Sequence, residues 1–244
     1  MNAEQQSGQP AEYVPAWCKW GFTTFMMVLL PVYWVNYGPT DFLFFCQVAL
    51  LLTLVTVWTD SSLLISMAAV GVLIPQFLWV LDYGTELTGH RLTGMTHYMF
   101  DGRKTPFLRC LSLFHGWLPF LLLFLVKRLR YDRRALVVWT VLAWALCLVC
   151  FFYMPGPEAA LPNPKTPRNI NFVFGTSRSE AQHWMASGLY LGVWMLFLLV
   201  AFHLPAHLLL SKWFPKAPTQ RPLRRSSSEA KSTVEPTSPR HLQG

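Results

Sequence analysis

His115 is the residue of this chain best suited to proton transfer, because an imidazole changes charge near neutral pH and serves as base, acid or ligand. It stands in LSLFHGWLP, inside a long apolar run. Arg109, six residues earlier, is a permanent cation with a planar fork that grips carboxylates and phosphates. Arg109, Ser112 and His115 are spaced by three, so on a helix they form a slowly drifting polar stripe. Asp82, at the far edge of the preceding apolar run, is matched in depth to Arg109 and is its expected partner. Between them lies DYGTELTGHRLTGMTHYMFDGRKTP. Asp82, Glu86 and His90 there are spaced by four, as are His97 and Asp101. On a helix each set would share a face and could hold a metal or work as acid and base. Gly84, Gly89 and Gly94 oppose a long helix, and a water-exposed loop carries such residues in any case. No metal and no cofactor is expected. His97 and Asp101 are read as loop partners of His115.

Other polar residues interrupt apolar runs. Gln47 and Gln76 fall roughly 10 and 9 Å from one membrane edge at 1.5 Å per residue, where they serve either a ligand or inter-helix hydrogen bonds. Asn171 follows Asn169 in RNINFVFG, like an extended lid with both amides on one face. His203 and His207 share a helix face in FHLPAHLLL, yet Pro205 lies between them, and they read as interfacial histidines rather than a metal pair. Cys147 and Cys150 form a C-x-x-C inside an apolar helix and read as small packing residues. No nucleophile elbow, zinc-protease, phosphate-loop or dinucleotide motif occurs.

The elements that must position these residues are membrane spans. Of 244 residues, 53% are hydrophobic and only 13% charged, against about 25% charged in ordinary soluble domains. Uncharged runs alternate with short charged patches, which implies an all-α, polytopic transmembrane bundle of about six spans. The runs are about 20–36, 40–58, 61–83, 106–126, 135–154 and 185–210. The first holds Pro31 and is the borderline one; the other five meet the length of roughly 20 residues that a bilayer requires. Thr40 or Asp41 is placed to cap the second, and Pro106 suits a first helical turn. Residues 1–16 form a polar lead-in without the marks of a cleavable signal. The bundle occupies 17–210, with long loops at 84–105 and 155–184. Residues 211–244 read as a disordered basic tail.

Lys and Arg set the orientation. Thirteen fall on the side of residues 1–19, 59–60, 127–134 and the tail, and six in the opposite loops. The positive-inside rule puts the first side, with the C-terminus, in the cytoplasm and the chain in the cytoplasmic membrane. The net charge of +8 is concentrated at 127–134 and 211–225. Anionic lipid headgroups of the bilayer are the partners this suggests, and no nucleic-acid motif accompanies it.

At TGMTHYMFD, LSLFHGWLP, YDRRAL and NINFVFG the chain resembles a group of bacterial proteins known only as membrane-associated, over most of residues 30–210. The resemblance implies a multi-pass membrane protein and carries no activity. A fainter similarity, in segment number and a lone mid-membrane histidine, is to small multi-pass lipid hydrolases and acyltransferases. Two functions are therefore expected. One is an enzyme acting on a lipid or lipid-linked substrate, with His115 as base and Arg109 binding an anionic headgroup. The other is a non-enzymatic small transporter or assembly partner whose polar contacts are structural.

Overall fold

The third helix, α3 (Ser62–Leu87), is the axis around which the others pack, and its sequence explains why. From Ile65 to Leu73 every residue is buried, so the segment has no lipid-facing or water-facing side. A helix apolar on all faces must be surrounded. Ala68, Ala69 and Gly71 also keep its surface low, so neighbouring backbones approach closely. In the computed structural model, which describes residues 13–90, 92–100, 102, 104–161, 163 and 165–214, α3 packs against four other helices. These are α2 (Phe45–Thr59), α5 (Phe114–Leu129), α6 (Ala135–Tyr153) and α8 (Leu204–Trp213). The remaining helices are α1 (Ala16–Tyr37), α4 (Pro106–Ser112) and α7 (Ser187–Phe197). No strand occurs among the described residues.

Five helical rods are long and apolar enough to cross a membrane: α1, α3, α4 with α5 (Pro106–Leu129), α6, and the rod Ser187–Trp213. The all-α bundle expected from the sequence is therefore present, but two segments exchange standing. The first, borderline in sequence, is a full 22-residue helix despite Pro31. Its buried residues Cys18, Phe22, Met26, Leu29 and Tyr33 are spaced by three or four and make one continuous stripe. The second, expected over 40–58, is helical for only 15 residues. Gly38 (φ 84°) ends α1, and Pro39–Leu43 forms a tight 3-10 turn in place of the helical turns expected there. Asp41 does not cap α2; the cap position falls on Phe44 and makes no side-chain bond.

Two rods are interrupted. α4 starts at Pro106 behind Thr105, whose hydroxyl accepts from Leu108 N at 3.4 Å, and it breaks at Leu113 before α5 resumes. Between α7 and α8, residues Leu198–His203 widen into a π-helical stretch. Pro205 has no N–H to offer the Ala201 carbonyl one turn back, and a proline at that place opens the ladder.

The ends sort as the alternation of spans requires. Asp60 accepts from Val14 N (2.9 Å) and pairs with Lys19 Nζ (3.3 Å), tying the start of α1 to the α2–α3 turn. Arg128 Nη1 donates to the Tyr13 carbonyl, and the Tyr131 hydroxyl bonds His207 Nδ1 at 2.7 Å. The loops 88–105 and 154–186 lie at the opposite end of the rods.

Gly71 is the tightest point of the bundle. A Cβ there would fall inside the indole of Trp139, which is fully buried. Gly71→Ala should therefore cost about 1–3 kcal/mol through overpacking, read as a lower Tm of the detergent-solubilised protein. Gly192→Ala, with open space around it inside α7, should not lower the Tm, since alanine is the better helix former.

Candidate functional site

A cavity of about 380 Å³ opens among α1, the start of α2, α3, α5 and the π-helical stretch, beneath the two long loops. His115 and Gln76 face it from adjoining helices, and Ser112 and Gln47 join them. Gln76 Oε1 can only accept, so the 2.9 Å bond to His115 Nδ1 requires a proton on Nδ1. In the neutral ring this leaves Nε2 as the basic nitrogen. The ring is held between Trp79 (centroids 5.2 Å, 24°) and Phe114 (4.0 Å, 29°). Orientation and tautomer of the base are thus both fixed before any ligand arrives. Pro119, lacking an N–H, also withholds the usual helical donor from the His115 carbonyl.

Ser112 is no nucleophile partner for His115. Its hydroxyl donates to the Leu108 carbonyl (3.1 Å) and so accepts from Tyr33 Oη (2.9 Å). The expected stripe is cut by the break at Leu113: Ser112 and His115 line the cavity and Arg109 does not. Arg109 Nη1 donates instead to the Met99 carbonyl at 3.3 Å.

Asp82 and Arg109 do not pair. Asp82 is fully buried, and five donors from one short loop converge on it. Its Oδ1 accepts from Thr93 N (2.6 Å), Thr93 Oγ1 (2.9 Å) and Gly94 N (3.0 Å). Its Oδ2 accepts from Thr96 N (2.8 Å) and Thr96 Oγ1 (2.6 Å). A carboxylate with four lone-pair sites satisfies a turn of this kind far better than one guanidinium across a helix gap. Glu86, one turn further on, bonds His97 Nδ1 (2.7 Å) and stands 3.2 Å from Thr96 Oγ1, whose single proton goes to the nearer Asp82. The carboxylates spaced by four therefore act as clamps for the loop 93–97. His97 is turned to Glu86 and is not among the cavity residues, and Asp101 lies outside the described residues. Of the two described members of the expected catalytic trio, His115 reaches the cavity and His97 does not. No group of three His, Cys, Asp or Glu placed to hold a metal occurs among the described residues.

The loop 155–184 is docked through its asparagines, which are left-handed turn residues (Asn169 φ 48°, Asn171 φ 56°) rather than an extended pair. Asn169 gathers its own loop, donating to the Gly175 and Ser177 carbonyls and accepting from Phe174 N. Asn171 reaches across to α2: Oδ1 accepts from Phe45 N (3.1 Å) and Nδ2 donates to the Leu43 carbonyl (2.9 Å). It lines the cavity, but its amide is committed to backbone.

Several cavity residues were not singled out by sequence. Asp41 is 7% exposed and accepts from Gln47 Nε2 at 3.0 Å. Burial pushes its carboxyl up to about 6, even though Arg178, Lys104 and the Gln47 bond draw it back. Lys104, Lys165 and Arg178 reach the cavity from the two long loops. Lys104 Nζ stands 4.6 Å from the Tyr98 ring centre and 5.4 Å from that of Tyr37, and Arg178 lies 5.7 Å over Tyr98. Burial pushes the Tyr98 phenol up to about 12, so it is neutral and accepts from Trp79 Nε1 at 3.3 Å. At the other extreme His203, carried by the π-helical stretch, accepts from Trp139 Nε1 through Nε2 (3.1 Å) and lines the cavity floor. It is buried in the bundle, and its bonds go to Trp139 and Thr140, whereas His207 bonds Tyr131.

The whole is an amphipathic chamber. Among the described residues its lining carries Lys104, Lys165, Arg178 and Asp41, the stacked imidazole of His115, and aromatic and aliphatic walls including Phe44, Phe45, Leu198 and Phe202. Comparison with protein-family models, with curated proteins and with solved structures finds no match.

Asp82→Asn replaces one acceptor oxygen by a donor facing the Thr96 N–H. An unsatisfied buried group of this kind costs about 1–3 kcal/mol. The loop 92–100 should then exchange its amide hydrogens faster and become a site of proteolytic cleavage, while α6 and α1 keep their protection.

Proposed function

We propose that the protein is a multi-pass protein of the cytoplasmic membrane that acts on a lipid or lipid-linked anionic substrate. The substrate enters from the side of the two long loops, and the C-terminus is cytoplasmic. One observation carries this reading: Lys104, Lys165 and Arg178 border the same cavity as His115, and the walls between them are largely apolar. Such a space suits a molecule with an anionic head and a hydrocarbon tail. The distribution of Lys and Arg supports the orientation. The basic stretch 127–134 supports contact with anionic headgroups on the cytoplasmic face, whereas 215–225 lie outside the described residues. The place given to Arg109 in headgroup binding passes to the loop cations.

In this reading the chemistry is general base catalysis. His115 Nε2 takes a proton from a water or from a hydroxyl of the substrate, while Gln76 stabilises the imidazolium through the Nδ1 bond. No side chain that could be acylated or phosphorylated is hydrogen-bonded to His115 among the described residues, so the attacking oxygen comes with the substrate or from water. A second reading, a small transporter, draws on the π-helical stretch Leu198–His203 and Pro205 beside the cavity, since broken helices frame many transport sites.

His115→Ala separates the two. For an enzyme, the variant reconstituted with a total lipid extract should keep its bound lipid and lose turnover by about 10²–10⁴-fold, measured as product by mass spectrometry. Unaltered lipids with both proteins, together with tracer uptake into proteoliposomes, would favour the transporter.

The charge state of Asp41 gives an independent test. A carboxyl raised to about 6 is ionised at pH 7.5 and largely neutral at pH 5. Protonation removes a negative charge that acts on Arg178 and Lys104, so affinity for an anion should rise as pH falls through 6. Phosphatidylglycerol, whose own charge is constant over that range, should bind severalfold tighter at pH 5 than at pH 7.5. Asp41→Asn should bind tightly at both and abolish the difference.

A further inference from the structure

The reading that the cavity takes an anionic amphiphile leaves the rest of the head group open, and two unfilled hydrogen-bond positions bear on it. Gln47 is 4% exposed and lines the cavity. Its Nε2 donates to Asp41 Oδ2 at 3.0 Å, yet its Oε1 is buried with no hydrogen-bond partner among the described residues. The amide cannot turn round to answer this, because Oε1 would then meet the carboxylate, acceptor against acceptor. Buried acceptors are almost always matched, so a donor belongs at this place. The second position is His115 Nε2. With the Nδ1 proton given to Gln76 Oε1, the neutral ring presents Nε2 as an acceptor, and no donor reaches it among the described residues.

One cation is common to both positions. Arg178 lies over the Tyr98 ring at 5.7 Å. Its charge acts on Asp41, which holds Gln47, and on His115. It makes no hydrogen bond or ion pair among the described residues. Tyr98 in turn bonds Trp79, whose ring stacks on that of His115. Unfilled acceptors and an anion-seeking guanidinium therefore share one region. A group that fits must offer protons to the acceptors and a negative charge to Arg178. A bare phosphodiester has no hydrogen to donate. An ammonium donates, but it adds a second positive charge beside Arg178. Hydroxyls donate without charge, and their oxygens can accept from a cation nearby.

We propose that the cavity recognises a polyhydroxyl head joined through a phosphodiester, selecting amphiphiles whose phosphate bears a glycerol or a sugar over those whose phosphate bears no hydroxyl. One hydroxyl of the head donates to Gln47 Oε1 and another to His115 Nε2. Arg178 holds the phosphate, and the hydrocarbon lies along Phe44, Phe45 and Phe202. The proposal rests on the anionic-amphiphile reading of the cavity, and it can fail while that reading stands.

The full chain, in a detergent without hydroxyl groups, is titrated at pH 7.5 with four lipids of identical acyl chains, and native mass spectrometry reads occupancy. The lipids are phosphatidylglycerol, phosphatidylethanol, phosphatidylethanolamine and a glucosyl diacylglycerol. Phosphatidylethanol keeps the diester charge and lacks the hydroxyls, whereas the glucosyl lipid keeps hydroxyls and lacks the charge. Phosphatidylglycerol should bind about tenfold more tightly than phosphatidylethanol, the worth of one or two hydrogen bonds, and more tightly than the other two. This comparison needs no variant. Gln47→Met should narrow the preference for phosphatidylglycerol over phosphatidylethanol severalfold. Arg178→Gln, at an exposed position, should weaken both diesters by a similar factor and keep the preference. Equal binding of phosphatidylglycerol and phosphatidylethanol overturns the hydroxyl site and leaves the anionic-amphiphile reading standing. Phosphatidylethanolamine binding as tightly as phosphatidylglycerol assigns the acceptors to an ammonium and overturns the proposal. The glucosyl lipid binding as tightly as phosphatidylglycerol supports the hydroxyl acceptors but overturns the phosphodiester, and with it the anionic-amphiphile reading. Binding of none of the lipids overturns both.

Discussion

The structure depends on one constraint: α3 has no exposed face from Ile65 to Leu73, so every other span is placed by what can be packed around it. The extreme case is Gly71 under the Trp139 indole. With Trp139 laid across α3, its N–H points at His203, and this fixes the floor of the cavity. Above that level the tight packing ends. Pro75 deprives Gly71 of its usual helical donor, and Gln76 and Trp79 then meet His115. Close packing below and a chamber above are consequences of where small residues and prolines stand along one helix.

The charged groups divide the labour in a way the apolar bundle enforces. Groups close to the backbone of the loops are spent on architecture: Asp82 and Glu86 clamp 93–97, Asn169 folds its own loop, and Arg109 holds the Met99 carbonyl. Each answers the demand that buried polar groups be matched. Groups on long, flexible stems, namely Lys104, Lys165 and Arg178, line the cavity. Asp41 is the carboxylate among the described lining residues, bonded in the low-polarity interior by the Gln47 amide.

What was legible in the sequence follows from the range of the interactions involved. Hydrophobic runs are local, and each of the six segments contains a helix, with Pro106 and Thr105 opening α4 as their types imply. The start of α2 was misplaced because it is set by Asn171, which lies 126 positions away. Depth along a helix, counted at 1.5 Å per residue, located His115 and Gln76 at compatible levels, and they do bond. The same count paired Arg109 with Asp82, because it ignores nearer competitors. The Thr93, Gly94 and Thr96 donors were readable as a turn able to wrap a carboxylate. The cations of the loops could not be assigned to the cavity, since nothing in local spacing says which way a loop folds back. His203 was read as interfacial because a depth count gives no account of a π-helical stretch that turns the side chain inward.

The Asn171 contact also bears on how the chain is made. At 15 residues α2 is shorter than any of the five rods long enough to cross a membrane, and the first amide of its helix finds its acceptor in a loop synthesised after four further helices. While the chain is still emerging, that donor has only water or lipid headgroups to satisfy it, and the turn Pro39–Leu43 has nothing to rest on. The start of α2 is complete only with Asn171 in place, so the N-terminal half of the bundle draws its last hydrogen bonds from the C-terminal half.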